Sequence, residues 1–184
     1  DPRGLRKHEM FVIHSPPALA VFHTAASLIG LVVGLFILRD LLASRRPAGL
    51  AILFLAIMAV ANLSGFLFPS RHIGVGHVSG MISLAALVVA IVACAMRCAG
   101  TWASVYALGV VTLLYCDSLI AVFMVFVRVP FLHEAGPGSV LGIQLLVLGI
   151  FVGLGVRAVA SFHPDGGNDP DLVTVWPGGR SFDR

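Results

Sequence analysis

The sequence predicts an all-α integral membrane protein, an antiparallel bundle of about five transmembrane helices, and three observations carry that expectation. Five apolar runs of about 20 residues, the length that crosses the hydrocarbon core, fill most of the 184-residue chain. Hydrophobic residues make up 58% of it and charged residues only 11%, which leaves too little charge to clothe a soluble surface. The runs also lack the alternation of apolar and polar residues that strands of a membrane barrel would show.

The runs are bounded by Pro, Gly or Arg. The first is placed at Pro17 to Leu38, with Arg39 closing it. Its residues His23, Ser27, Gly30 and Gly34 advance by four, three and four positions and so share one helical face, which must look into the bundle. No small-residue cleavage site follows this run, so it reads as a retained helix and not a cleaved signal. The second run, Leu50 to Phe68, ends before Pro69 and carries Asn62 and Ser64. The third, Val75 to Met96, ends before Arg97 and carries Ser79 and Ser83. The fourth, Trp102 to Val127, contains Asp117 and Ser118 and ends at Arg128. The fifth, Ser139 to Ala160, contains Gln144. Short connections make neighbours antiparallel.

The domain organisation expected is an N-terminal segment, 1–16, a transmembrane bundle, 17–161, and a polar tail, 162–184. The stretch Asp1 to Glu9 is set aside from fold reasoning, with Met10 a candidate start. After Phe162 the composition turns to Pro, Gly, Asp and Asn, with Val173, Val175, Trp176 and Phe182 interspersed. Alone such a tail would be mobile, and Trp176 is its expected anchor to protein or to the membrane surface.

Orientation follows from Lys and Arg near the helix ends. Arg39, Arg45, Arg46, Arg97 and Arg157 fall on one side, against Arg71 and Arg128 on the other, where Arg3, Arg6 and Lys7 of the leading segment would nearly even the balance. Leaving that segment aside, the chain is expected in a bacterial inner membrane with its N-terminus periplasmic and its C-terminus cytoplasmic. A net charge of +3 is then the mark of a positive-inside protein, and no basic cluster argues for nucleic acid. The expected partners are the lipid bilayer and either other subunits or copies of the same chain.

Pairs of small residues four apart recur: Gly30 and Gly34, Ala61 and Gly65, Gly76 and Gly80, Gly149 and Gly153. Between membrane helices there is no hydrophobic drive, so close approach through small residues lets dispersion hold a bundle together. Packing within the chain is the reading preferred for them, with a homodimer face as the alternative. The three cysteines, Cys94, Cys98 and Cys116, form no CxxC and read as small packing residues.

The interior polar groups are not spread evenly. At 1.5 Å per residue, His23 lies ~9 Å below the outer boundary, with Asn62 and Gln144 near that level, and Asp117 and Ser118 at ~15 Å, near the midplane. Below Asp117 the interior polar list shrinks to Thr112, Tyr106 and Ser104. An ionised carboxylate at the midplane costs at least ~2.5 kcal/mol, so Asp117 must be neutral, paired or bathed by water. Two readings stay open. Asp117 is interhelical glue, bonded to Asn62, Tyr115 or a backbone carbonyl, or it belongs with His23, Asn62 and Gln144 to a ligand or proton pocket. His14, His23, His72, His77 and His133 map to the outer side, and neutral imidazoles suit haem iron or a transition metal, so His23, His72 and His77 are the metal candidates. No HExxH or CxxCH is present, and no cofactor is required. Enzyme signatures such as GxSxG, the P-loop or a dinucleotide fingerprint are missing too, so a non-enzymatic role is expected.

An ordered set of motifs adds a resemblance. Gly65-Phe66-Leu67-Phe68-Pro69, the segment His77 to Leu84, Gly100-Thr101-Trp102 with Tyr106, Leu114-Tyr115, Val127 to Leu132, and Gln144 opening an apolar helix together resemble a group of small multi-span bacterial membrane proteins without an assigned activity. The likeness covers residues 14–162. In that group the fourth helix carries an Asn-like polar position where this chain has Cys116-Asp117, and a longer acidic loop stands where this chain has His133 to Gly138. The resemblance implies location and architecture and carries no reaction. Function therefore divides into a non-enzymatic accessory or assembly subunit of a membrane complex, a small carrier or sensor with an outward-open polar pocket around His23 and Asp117, and, third, a haem- or metal-binding redox subunit.

Overall fold

The computed structural model describes residues 17–45, 48–68, 74–133 and 136–162, and among these there are six helices and no strand. They are α1 (Pro17–Leu42), α2 (Ala48–Phe66), α3 (Val75–Ala95), α4 (Thr101–Arg128), the one-turn α5 (Pro130–His133) and α6 (Gly136–Ser161). All but α5 are long and apolar enough to cross a membrane, which makes the chain a multi-pass membrane protein. The expected tail anchor Trp176, like His14, His72 and the Asp1 to Glu9 stretch, lies outside the described residues.

Helix ends follow local chemistry more than hydropathy. Pro17 opens α1, where its missing N–H costs no helical hydrogen bond and its fixed φ suits the first turn. The helix runs past the expected stop at Leu38 through Arg39 and Asp40, because charge ends a membrane-buried run without ending a helix. It stops when Ser44 takes a left-handed φ of 55°, with Ser44 N–H bonded to Leu41 O and Arg45 N–H to Asp40 O. This pair of bonds closes the last turn and satisfies carbonyls that would otherwise be orphaned. The same arrangement ends α3, where Arg97 is left-handed at φ 57°, its N–H meets Cys94 O, and Cys98 N–H reaches back to Ala93 O. Cys98 is thereby folded under the helix and buried. At the far end of α4, Val129 is extended because Pro130 follows it, and the chain then makes the single turn α5, which the apolar pattern did not predict.

Helices α1 to α4 form an antiparallel ring, α1 on α2, α2 on α3, α3 on α4 and α4 back on α1. Helix α6 lies outside the ring against α4, its main support, and α1. The dry core occupies the half of the bundle remote from the N-terminus, where Ile37, Leu41, Phe54, Met58, Val110, Leu113 and Leu114 are fully enclosed. Two glycines set its spacing. A Cβ on Gly34 would run into Leu114 and come 2.7 Å from Phe54, so this glycine makes room for those two side chains, and one on Gly109 would lie 2.9 Å from the Ala90 Cβ, so α3 and α4 meet at backbone distance. Phe162, expected to open the polar tail, instead caps this half, buried against Tyr106 at 6.1 Å between ring centres.

The small-residue pairs prove unequal. Gly30, Gly34, Gly65 and Gly80 each face a neighbouring side chain, as intramolecular packing requires. Gly76 does not, nor do Gly149 and Gly153 of α6, where an added methyl group would meet nothing within 4 Å. For this last pair the expected packing within the chain is corrected: α6 lies on the ring with another face.

Candidate functional site

Among the described residues, the three buried serines, Ser64, Ser79 and Ser83, all lie in the half nearer the N-terminus. His23 is the first fixed point of this layer. Its Nδ1 lies 3.0 Å from the Ser64 Oγ, across the α1–α2 seam. The Ser64 hydroxyl donates its hydrogen to Ala61 O at 2.9 Å, so it accepts from the imidazole, and the Ala61 carbonyl is itself within reach of the ring. The Ser64 contact puts the imidazole hydrogen on Nδ1 and leaves Nε2 as an acceptor. Gly65 gives the ring its slot, since a Cβ there would sit 3.2 Å from His23 Cε1, and Phe68 closes it edge-on at 5.3 Å. The Ala61 and Gly65 pair therefore makes room for a side chain as well as a helix.

One turn along α1 from His23, Ser27 hydrogen-bonds the Asp117 carboxyl across the α1–α4 seam. Asp117 continues the line Ala103, Tyr106, Val110, Leu114 that α4 turns toward the ring, so it faces the interior and not lipid. Its glue partner is Ser27 and none of the three expected. Tyr115 turns the other way, to Phe151 of α6 at 6.0 Å, and Asn62 spends its amide on its own helix, Nδ2 donating to Met58 O at 2.8 Å. Next to Asp117 the Cys116 thiol hydrogen-bonds Ser79 of α3. Gln144 sits on the α4–α6 seam, where Nε2 donates to Leu119 O at 2.9 Å.

Of the four residues expected to share a pocket, the structure links His23 and Asp117 through consecutive turns of α1. No hydrogen bond among the described residues joins Asn62 or Gln144 to either. The residues that sequence reasoning passed over as site members are Ser27, Ser64 and Ser79, which bond Asp117, His23 and the Cys116 thiol in turn. Ser27 carried the signal of a four-residue step from His23, and Ser64 and Ser79 that of depth, since both fall in the outer half by residue count. Two acceptors in this half are buried without a hydrogen-bond partner, Oδ2 of Asp117 and Oε1 of Gln144. In the opposite half the Tyr106 hydroxyl shares that condition. Leaving such a group unmatched costs about 1–3 kcal/mol, so each marks a place where fold and chemistry compete. For the metal candidates, His77 begins α3, His72 lies outside the described residues, and no three His, Cys, Asp or Glu side chains converge among the described residues.

The chain matches no protein-family model, no curated protein and no solved structure.

Proposed function

We propose that this protein is a non-enzymatic accessory or assembly subunit of a bacterial inner-membrane complex, and that it takes its neighbour on the free face of α6. The observation that carries the reading is the glycine stripe of that helix. At 100° per residue, Gly142, Gly149, Gly153 and Ala160 fall within about 40° of one another, on the side away from Gly155. Gly155 is the residue that packs on Val111 of α4, whereas Gly142, Gly149 and Gly153 are exposed with nothing near them. Helix α6 is also the least buried of the five spans. Glycine costs a helix about 1 kcal/mol relative to alanine, and a stripe of it facing lipid returns nothing, whereas against another helix it permits backbone contact. Membership in the group of small multi-span bacterial membrane proteins that the motifs resemble belongs to this reading, as do the N-out, C-in orientation and the inner-membrane location.

Mild-detergent purification of the tagged full-length chain followed by native mass measurement tests it. The wild type should carry a second, different membrane subunit above its own 19.4 kDa, and Gly149→Ile with Gly153→Ile should release that subunit without lowering the melting temperature of the chain itself. A wild type that runs alone, or a variant that keeps its partner, would remove the accessory role; an assembly of identical copies would replace it with a homo-oligomer.

A second reading, a small carrier or sensor using a polar pocket around His23 and Asp117, is supported by the unmatched Asp117 oxygen. The two readings use different faces of the molecule.

A further inference from the structure

The half of the bundle nearer the N-terminus holds a carboxyl group, Asp117, with no cationic side chain in the same layer among the described residues. Among the described residues, Arg39, Arg45, Arg97 and Arg157 belong to the other end of the bundle, and Arg128 is exposed about three turns farther along α4. The groups that face Asp117 from the elements packed on α4 are few. Helix α1 brings Ser27, with His23 one turn away and held by Ser64. Helix α3 brings Ser79, which is bonded to the Cys116 thiol, and His77 lies at its start. Helix α6 lies outside the ring and brings no titratable group to this level; its Gln144 is neutral and bonded to Leu119 O. Asp117 Oδ2 is buried and unmatched although hydroxyl groups stand on both flanking helices. A buried carboxyl oxygen with no hydrogen-bond partner, and no ammonium or guanidinium beside it among the described residues, is satisfied by a small positive charge that those residues do not supply.

We propose that Asp117 and Ser27 hold an exchangeable monovalent cation, a proton or an alkali ion, between α1 and α4. The two forms share one chemistry, since either neutralises the carboxylate and either is satisfied by hard oxygen donors. Ser27 serves both, by accepting from a carboxylic acid or by lending its oxygen to an ion. The inference deepens the pocket reading above and is independent of association through α6.

A hydrophobic carbodiimide is the probe. The O–H of a carboxylic acid adds across one C=N bond of the reagent, the proton moves to nitrogen, and the O-acylisourea rearranges to a stable N-acylurea, with nothing leaving. The full-length protein, purified in mild detergent, is treated at a series of pH values and with sodium or choline chloride at constant ionic strength, and the adduct on Asp117 is read by peptide mass. An alkali ion predicts labelling that sodium slows, about tenfold at roughly ten times its dissociation constant, and that choline does not. A proton predicts labelling that slows as pH rises and ignores sodium. Asp117→Asn should abolish the adduct, and Ser27→Ala, which leaves the carboxyl in place, should shift the sodium or pH midpoint. An Asp117 that is never labelled, a rate indifferent to both sodium and pH, or a midpoint unmoved by Ser27→Ala would overturn the proposal. The α6 variants should label as wild type does, so failure here leaves the docking reading standing and failure there leaves this one.

Discussion

Asp117 shows how much a single residue can disclose and where that ends. A carboxyl group in an apolar run stands out in the sequence, and its depth follows from counting residues. Its partner does not, because which helix stands beside α4 depends on the order of packing around the ring. Asn62 looked equally apt by depth, but α1 and not α2 flanks α4 on that side, and Asn62 bonds its own helix. The serines were harder still, since a serine in a membrane helix commonly bonds its own backbone, as Ser64 also does to Ala61. Substitution at Asp117 follows from its geometry. Asp117→Asn keeps a neutral group of the same shape able to bond Ser27 and should change unfolding free energy by less than about 1 kcal/mol. Asp117→Leu strands the Ser27 hydroxyl, adds apolar bulk to a polar layer, and should cost about 1–3 kcal/mol. Denaturant titration of the detergent-solubilised protein measures both, and equal effects would mean that the carboxyl group makes no specific contact.

At the scale of the helix, the sequence located all five spans, with ends displaced by a few residues wherever capping outran hydropathy, as at Ser44 beyond α1. It missed α5, whose four residues are too few to leave a periodic signal. The small-residue pairs were all visible, but a pair has the same appearance whether it meets a helix of its own chain or faces away. Gly34 and Gly149 are alike in sequence context and opposite in surroundings, and substitution separates them. Gly34→Val would drive a branched side chain into Phe54 and Leu114 and should cost about 1–3 kcal/mol, while Gly149→Val has free space and should leave the stability of the isolated chain unchanged or slightly raised. Thermal unfolding of the two single variants in the same detergent checks the contrast. A large loss at Gly149 would mean that α6 packs on the ring with its glycine side.

The whole molecule is asymmetric along its length. One half is a close-packed apolar core set by Gly34 and Gly109, and the other is a polar layer in which His23 meets Ser64 across the α1–α2 seam and Asp117 meets Ser27 across the α1–α4 seam. A bundle can spend its packing energy in one half and carry polar groups in the other, which reconciles a buried carboxyl group with a stable fold. Five spans put the two ends of the bundle on opposite sides of the membrane, and in the proposed orientation the apolar end, with its excess of arginine, is the cytoplasmic one. The polar half then faces the periplasm, as an outward pocket or an externally supplied cation requires. Single cysteines at Ala43, after α1, and at Gly138, in the first turn of α6, report this sidedness without removing an arginine. In intact cells a membrane-impermeant maleimide should label the Gly138 position, and the Ala43 position only after permeabilisation; the reverse pattern would turn the polar half toward the cytoplasm and contradict the account.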